Sequence, residues 1–436
     1  MQHFSLKLEA MSPLAIRADH APGGVENAGY ISGTTLFGSL AALHRLAHPE
    51  DTYTSTFEQL FLRGQVQYPD LYPASFANED FEKDDNLPVY PLPNTAQSCK
   101  RFPGFRTDAG EEVDDERHGV RDSLLDWAIF ALGNEVKSHD LETLLRPLRA
   151  QKDCQVCKEL KRPPKPMDHF SGYYRRIKSD DKEHLARAEA ETRLQTRTGI
   201  NRMTGTVQEN ILYSRQVFEG HTRFWGMIHV EDELASALQR FIEEIGESGL
   251  ARIGTGRSRG MGKIHFHLSH VPTDEQDRFN SFKQRVEKLS RMLRSQAEST
   301  FGSLELQPFY FALTLHSPVI LRDELLRYRG TIDEQTLKEL LALPTDTFPA
   351  DTFKLVYQNA STKQVMGWNE LWGLPRTKEI AIETGSVFLF SSTAEPHEKL
   401  LRALFELEER GIGQRKAEGF GRICVSDSFH QEVTLK

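Results

Sequence analysis

The chain has 436 residues, enough for two or three domains, and its 54 basic and 63 acidic side chains leave a formal charge of −9. Hydrophobic residues make up 38% of it and mean hydropathy is −0.51; no apolar run approaches the ~18–20 residues of a membrane span, and the N-terminus MQHFSLKLEAMSPLAI has no basic region or apolar stretch of a secretion signal. Four cysteines exclude a disulfide scaffold, and a cytoplasmic protein with reduced thiols is expected.

In chain order, FSLKLEAMSPLAI alternates Phe4, Leu6 and Leu8 before Ser12-Pro13, a strand pattern ending at a residue that cannot donate to a ladder. RADHAPGG follows as a polar loop carrying Asp19 and His20. Ser32–Leu46 reads as a helix with Ser32 or Thr34 as N-cap and His44 on it. Beyond about residue 50 the pattern breaks. Glu79–Asp85 and Asp108–Glu116 are acidic stretches read as solvated loops, and three of the four cysteines fall in this region. Arg193–Arg202 and Ala251–Lys263 contain no acid. Between them, EGHTRFWGMIHV reads as a strand, and Leu234, Leu238, Phe241, Ile242 and Ile245 share one helical face. Residues 273–304 form a charged helical segment with five basic residues between Lys283 and Arg294.

The pattern then repeats. FALTLHSPVIL alternates Phe311, Leu313 and Leu315 before Ser317-Pro318. Asp333–Leu343 reads as a helix, Glu383–Ser392 as a turn and strand, and Leu400, Leu401, Leu404 and Leu407 as an apolar helical face. GTGRSRGMGKIHFHL matches GIGQRKAEGFGRICV, each with two G-x-G pairs around a basic insert before a strand. The repeated order βαββαβ predicts an α+β chain of two ferredoxin-like domains, the first with a large irregular insertion. Expected bounds are 1–272 for the first, with the insertion at about 50–195, a helical linker over 273–304, and 305–436 for the second.

Both glycine loops follow a helix and precede a strand, which is the reverse of a dinucleotide fingerprint, and no P-loop triplet occurs. Their glycines let another backbone approach closely, and with basic neighbours that backbone is expected to be a polyanion; a tight packing turn is the alternative. The RNA reading assigns contacts to Arg197 and Arg202, to Gly254, Gly256, Arg257, Ser258, Arg259, Gly260, Gly262 and Lys263, and to Gly411, Gly413, Gln414, Arg415, Lys416, Gly419 and Gly421. Tyr213, Phe224 and Trp225 are available for base stacking or for the core.

Cys99, His118, Cys154 and Cys157 have the spacing C-x18-H-x35-C-x2-C, an inventory for a structural zinc site, with His169 as an alternative to His118. Unliganded thiols and a redox CxxC are the competing readings; Cys424, in a strand, is assigned to the core.

These motifs carry a resemblance. The paired FxLxL…SP openings and GxG…GxG endings, YISGTTLFGSLAAL with Ser32 where a proline is usual, and RTGINRMTG…LY resemble the RAMP superfamily of CRISPR-associated proteins, outside the insertion nearly throughout. Size and the cysteine-bearing insertion are most similar to the large two-domain RAMP subunit of type III-D effector complexes. The resemblance implies an antiviral effector subunit that binds guide RNA (crRNA), near its 5′ handle, beside other RAMP subunits and the large polymerase-like subunit, with target RNA as a further partner and no membrane. The alternative is a metal-independent endoribonuclease maturing the guide RNA, for which Asp19, His20 and His44 are the acid–base candidates. A ferredoxin-like protein that binds only protein partners is a third reading.

Overall fold

The computed structural model describes residues 1–17, 27–50, 55–74, 88–106, 117–136, 152–179, 182–200, 203–204, 206–272, 274–302, 305–343, 348–349, 351–369 and 373–432. Asp19, His20, Arg202 and the acidic stretches Glu79–Asp85 and Asp108–Glu116 lie outside these residues. The architecture is mixed α+β with small antiparallel sheets, and among the described residues no helix is long and apolar enough to cross a membrane.

The first sheet runs Ile264–His270, Gln2–Ala10, Arg223–Val230, Val66–Gln67, with Tyr72–Pro73 also on Arg223–Val230. Phe4, Leu6 and Leu8 are buried on the face covered by the helices Gly33–Ala47 and Ala235–Glu247. Ser32 caps the first helix, its hydroxyl accepting from Thr35 N at 3.3 Å. The five positions from Leu234 to Ile245 that were read as one helical face are all buried. The sheet draws its remaining strand from Val66–Gln67 and Tyr72–Pro73, inside the region read as insertion. Two-residue strands are too short to show a period, so the sequence alone does not reveal them.

The second sheet runs Phe353–Asn359, Val387–Ser392, Phe309–Leu315, Ile423–Val425. Glu334–Leu341, capped by Asp333, and Glu398–Arg410, capped by His397, lie in its sequence where the first sheet has its two helices. All seven residues of Phe309–Leu315 are buried, so the expected alternation does not become inside and outside. Both faces are covered. Phe309, Phe311 and Leu313 pack with the helices, while Tyr310 and Ala312 meet Leu289 and Leu293 of the 27-residue helix Glu275–Phe301 and Leu124, Ala128 and Leu132 of the helix Leu124–Val136.

That last helix belongs to the insertion, which also holds two three-stranded sheets. One is Val89–Pro91, Tyr173–Ser179 and Lys182–Ala188; the other is Val120–Asp122, Ala96–Cys99 and Met167–His169. Val89 and Ala188 cover Trp225 on the far face of the first sheet. The insertion therefore packs on both sheets. An antiparallel ribbon, Thr192–Ile200 with Val207–Phe218, extends from the first sheet's side with Leu194, Ile200 and Leu212 exposed.

Candidate functional site

The repeat is reproduced hydrogen bond by hydrogen bond at the glycine loops. In the first, Ile253 N donates to Gly262 O (2.9 Å), Gly262 N to Pro13 O (3.0 Å) and Thr255 N to Ala15 O (2.9 Å). In the second, Ile412 N donates to Gly421 O (2.9 Å), Gly421 N to Pro318 O (2.9 Å) and Gln414 N to Ile320 O (3.0 Å). The backbone that approaches these glycines is the chain's own. A Cβ on Gly254 or Gly413 would sit 2.4 or 2.5 Å from the carbonyl oxygens of Ala15 and Ile320, and one on Gly262 or Gly421 2.1 or 2.0 Å from those of Ile253 and Ile412. The Ser-Pro segment after each opening strand is what the loop clasps.

The outer parts of the two loops differ. In the first, Ser258, Arg259, Gly260 and Lys263 are exposed, Gly256 and Arg257 half-buried, and a Cβ at Gly260 would meet nothing within 4 Å. Arg259 Nη1 donates to the Tyr213 hydroxyl (2.9 Å), and Arg215 Nη1 to Thr255 Oγ1 (3.1 Å), tying the loop to the ribbon. Arg197 lies opposite Tyr213 in the ribbon register, its guanidinium donating to Gln195 Oε1 at 3.0 Å. Three arginines and a tyrosine thus lie together part-way along the ribbon, beside the loop. Arg215 was absent from the sequence reading, although its i, i+2 relation to Tyr213 puts both on one ribbon face. Phe224 and Trp225 are core residues, Trp225 Nε1 donating to Ser5 Oγ at 2.8 Å, so neither is available for base stacking.

The second loop packs against the first sheet's unit. A Cβ on Gly33 would lie 2.6 Å from Glu418 O, and Tyr68 N donates to Ala417 O (3.2 Å). Arg415 pairs with Glu379 (2.6 Å) and Glu418 (2.8 Å); burial works against its charge, and these carboxylates outweigh that and raise its pKa. Burial, then Arg410 and Arg422, lower Lys416. Arg422 donates to His229 Nδ1 (2.8 Å), and His229 stacks on His3 at 4.1 Å. Arg415 and Arg422 of this loop are thus spent on contacts within the chain. His44, buried against Phe57, Phe61 and Phe241, is a core histidine that reaches no surface.

The four metal-candidate residues converge. Cys99 ends its strand, His118 precedes Val120–Asp122, Cys154 opens the helix Gln155–Glu159, and Cys157 lies within that helix. All are buried, with their ligand atoms within 4.8 Å of one another. Sγ of Cys99 and Cys157 are 3.9 Å apart, and His118 Nδ1 is 3.2 Å from Cys154 Sγ and 3.4 Å from Cys157 Sγ. Tetrahedral zinc with bonds of ~2.3 Å to sulfur and ~2.0–2.1 Å to nitrogen requires about 3.8 Å between sulfurs and about 3.6 Å from sulfur to nitrogen. The cluster fits that ion. Burial first, then the neighbouring Cys99, pushes the Cys154 thiol up to about 12, so a cation is what would make thiolate ligands here. The Phe102 ring lies tilted against His118 at 4.4 Å and packs on the cysteine cluster. His169 is exposed and takes no part.

The family model of the RAMP superfamily matches residues 7–265. No curated protein sequence matches the chain. Among solved structures, it is similar to a chain of the type III-B Cmr-beta complex bound to cognate target RNA and AMPPnP, at 11% identity and a TM-score of 0.37, covering 88% of this chain and 86% of that one. A chain of Cmr-beta bound to cognate target RNA gives 11% and 0.37 with 96% and 95% covered, and one of the apo state gives 10% and 0.28 with 61% and 97% covered.

Proposed function

The chain belongs to the RAMP superfamily, and on that premise we propose that it is an RNA-binding subunit of a cytoplasmic type III CRISPR effector ribonucleoprotein acting in antiviral defence. Its strand orders suit two ferredoxin-like domains, 1–272 and 305–436, bridged by the helix Glu275–Phe301, with an insertion that begins after Pro73. The observation that carries the proposal is the meeting of Arg197, Arg215, Arg259 and Tyr213 beside an exposed loop on a chain that is acidic overall. Guanidinium groups and loop amides suit phosphates and 2′-hydroxyls, and Tyr213 supplies a ring for an unstacked base. Guide RNA near its 5′ handle is the proposed ligand; other RAMP subunits and the large polymerase-like subunit are the proposed neighbours. Zinc on Cys99, His118, Cys154 and Cys157 is proposed as the clip that holds the insertion.

The endoribonuclease alternative loses His44 to the core. The proposal is tested by purifying the tagged chain from its host and identifying bound protein and RNA. Guide RNA with other RAMP subunits is the expected outcome. Recovery of the chain without RNA would overturn it.

A further inference from the structure

A cavity of about 660 Å³ opens where the insertion meets the two sheet-bearing units. One wall is aromatic: Tyr72 and Tyr173 stack at 4.8 Å, and Tyr30 leans on both. The lining also carries Trp127, 36% exposed and parallel to Tyr357 at 6.0 Å. Tyr30 opens the YISG segment, whose Ile31 and Gly33 are used by the fold; its own half-buried ring packs beside the Tyr72–Trp225 cluster and lines this cavity.

The polar lining is matched to a planar ligand. Gln97 Oε1 accepts from Arg121 Nη2 at 2.6 Å, which leaves the Gln97 amide nitrogen as a donor. Asn94 and Asn359 each donate a side-chain amide to the other's backbone carbonyl, at 3.5 and 3.2 Å, which leaves their Oδ1 atoms as acceptors. Lys363 Nζ lies 3.4 Å from the Tyr30 hydroxyl and supplies a cation; Glu383, one oxygen accepting from Ser361 Oγ at 2.8 Å, keeps a carboxylate charge on the same lining. Flat aromatic walls, an amide donor, amide acceptors and one ammonium group suit a heteroaromatic base whose phosphate lies on the Lys363 side, away from the Glu383 carboxylate.

We infer that this cavity holds one unstacked nucleotide of a single-stranded RNA, its base against the Tyr72–Tyr173 and Trp127–Tyr357 rings and its phosphate on Lys363. The inference rests on the RNA-binding reading above but concerns a site apart from the glycine loop. It also gives the insertion a direct part in binding.

The test uses the full chain with a fluorescein-labelled single-stranded RNA of about 12 nucleotides, the span of a typical single-strand site, and separately with AMP and UMP. Anisotropy reads RNA binding, and tryptophan emission reads the cavity, the Trp127 share being the difference between wild type and Trp127→Phe. RNA should quench that share, and Lys363→Glu should weaken RNA binding about 10-fold with the thermal transition unchanged, the range of one stacked base with its phosphate. RNA that binds by anisotropy, with Trp127 unquenched and Lys363→Glu binding normally, would overturn the cavity assignment and leave the RNA-binding reading standing. No binding by anisotropy would overturn both. Quenching by AMP or UMP but not by RNA would assign the cavity to a free nucleotide and overturn the RNA occupant.

Discussion

At the scale of single residues, the glycines of the two loops separate into those the fold requires and those it leaves open. Gly262 and Gly260 both have φ near +75°, at 75° and 78°, so alanine is strained at either. At Gly262 a methyl group would also be driven into Ile253 O, whereas at Gly260 it would enter open space. Gly262→Ala should therefore cost about 2–4 kcal/mol and Gly260→Ala about 1 kcal/mol, read by urea denaturation. Equal costs would contradict the clasp. The sequence showed that close approach was needed, but two G-x-G pairs do not say whether the approaching backbone is RNA or the chain itself. Only the position of Ala15 and Ile320 decides it.

The cysteine cluster was legible in all four members, His118 included, although spacing left His169 open as an alternative. His118 lies 19 residues from Cys99 and 36 from Cys154, and His169 is no less plausible on spacing. Purified protein should contain about one zinc per chain, and Cys154→Ser should lower that content severalfold and open the insertion to proteolysis. Wild-type protein with far less than one zinc per chain would contradict the site. Zinc should be released as pH falls, because protons compete for the three thiolates and the imidazole.

At the scale of elements, the helix faces and alternating strands were readable because each has enough residues to display its period. Phe309–Leu315 alternates in sequence yet is buried throughout, because a helix that ends 173 residues upstream (309 − 136), Leu124–Val136, covers its second face. No local pattern carries that information. Sequence separations of 308 and 116 residues likewise hide the junction at His430, whose Nδ1 meets Asp122 Oδ2 at 2.9 Å and whose Nε2 meets Thr314 Oγ1 at 2.8 Å, joining insertion, C-terminal turn and second sheet. Burial opposes protonation of His430, and Asp122 outweighs it, raising the pKa above the ordinary 6.5. A raised folded-state pKa gives stability that is full below the unfolded value and is lost as pH rises through the folded one. Asp122→Asn should thus cost about 1–3 kcal/mol near pH 6 and clearly less near pH 9, as measured by denaturant midpoints. A cost that does not change with pH would show that the pair is not charged.

At the scale of the whole molecule, equivalent loops have taken on different work. The repeat equips both sheets with the same clasp, but the second loop faces the N-terminal end of the helix Gly33–Ala47, and its arginine is neutralised by Glu379 and Glu418. The first loop keeps its exposed basic residues beside the ribbon. Composition made the loops look alike because both are basic; the acids that answer the second lie at Glu379, in another strand, and at Glu418, within the loop itself. Arg415→Ala should consequently cost about 1–3 kcal/mol of stability, through the carboxylates left without their partner, and hardly change RNA affinity. Arg257→Ala with Arg259→Ala should cost more in RNA affinity than in stability, since Arg259 is exposed and exposed charges contribute little to folding, while Arg257 is half-buried.

The salt dependence of single-stranded RNA binding compares these variants most directly. Each phosphate contact to a single strand contributes about 0.7 to the slope of log affinity against log salt concentration. The Arg257→Ala, Arg259→Ala protein should lose about 1.4 units of slope and bind more weakly to every RNA sequence tried, with the Arg415→Ala slope equal to wild type. An unchanged slope in the double variant, or an equal loss in Arg415→Ala, would contradict the placing of RNA on the first loop.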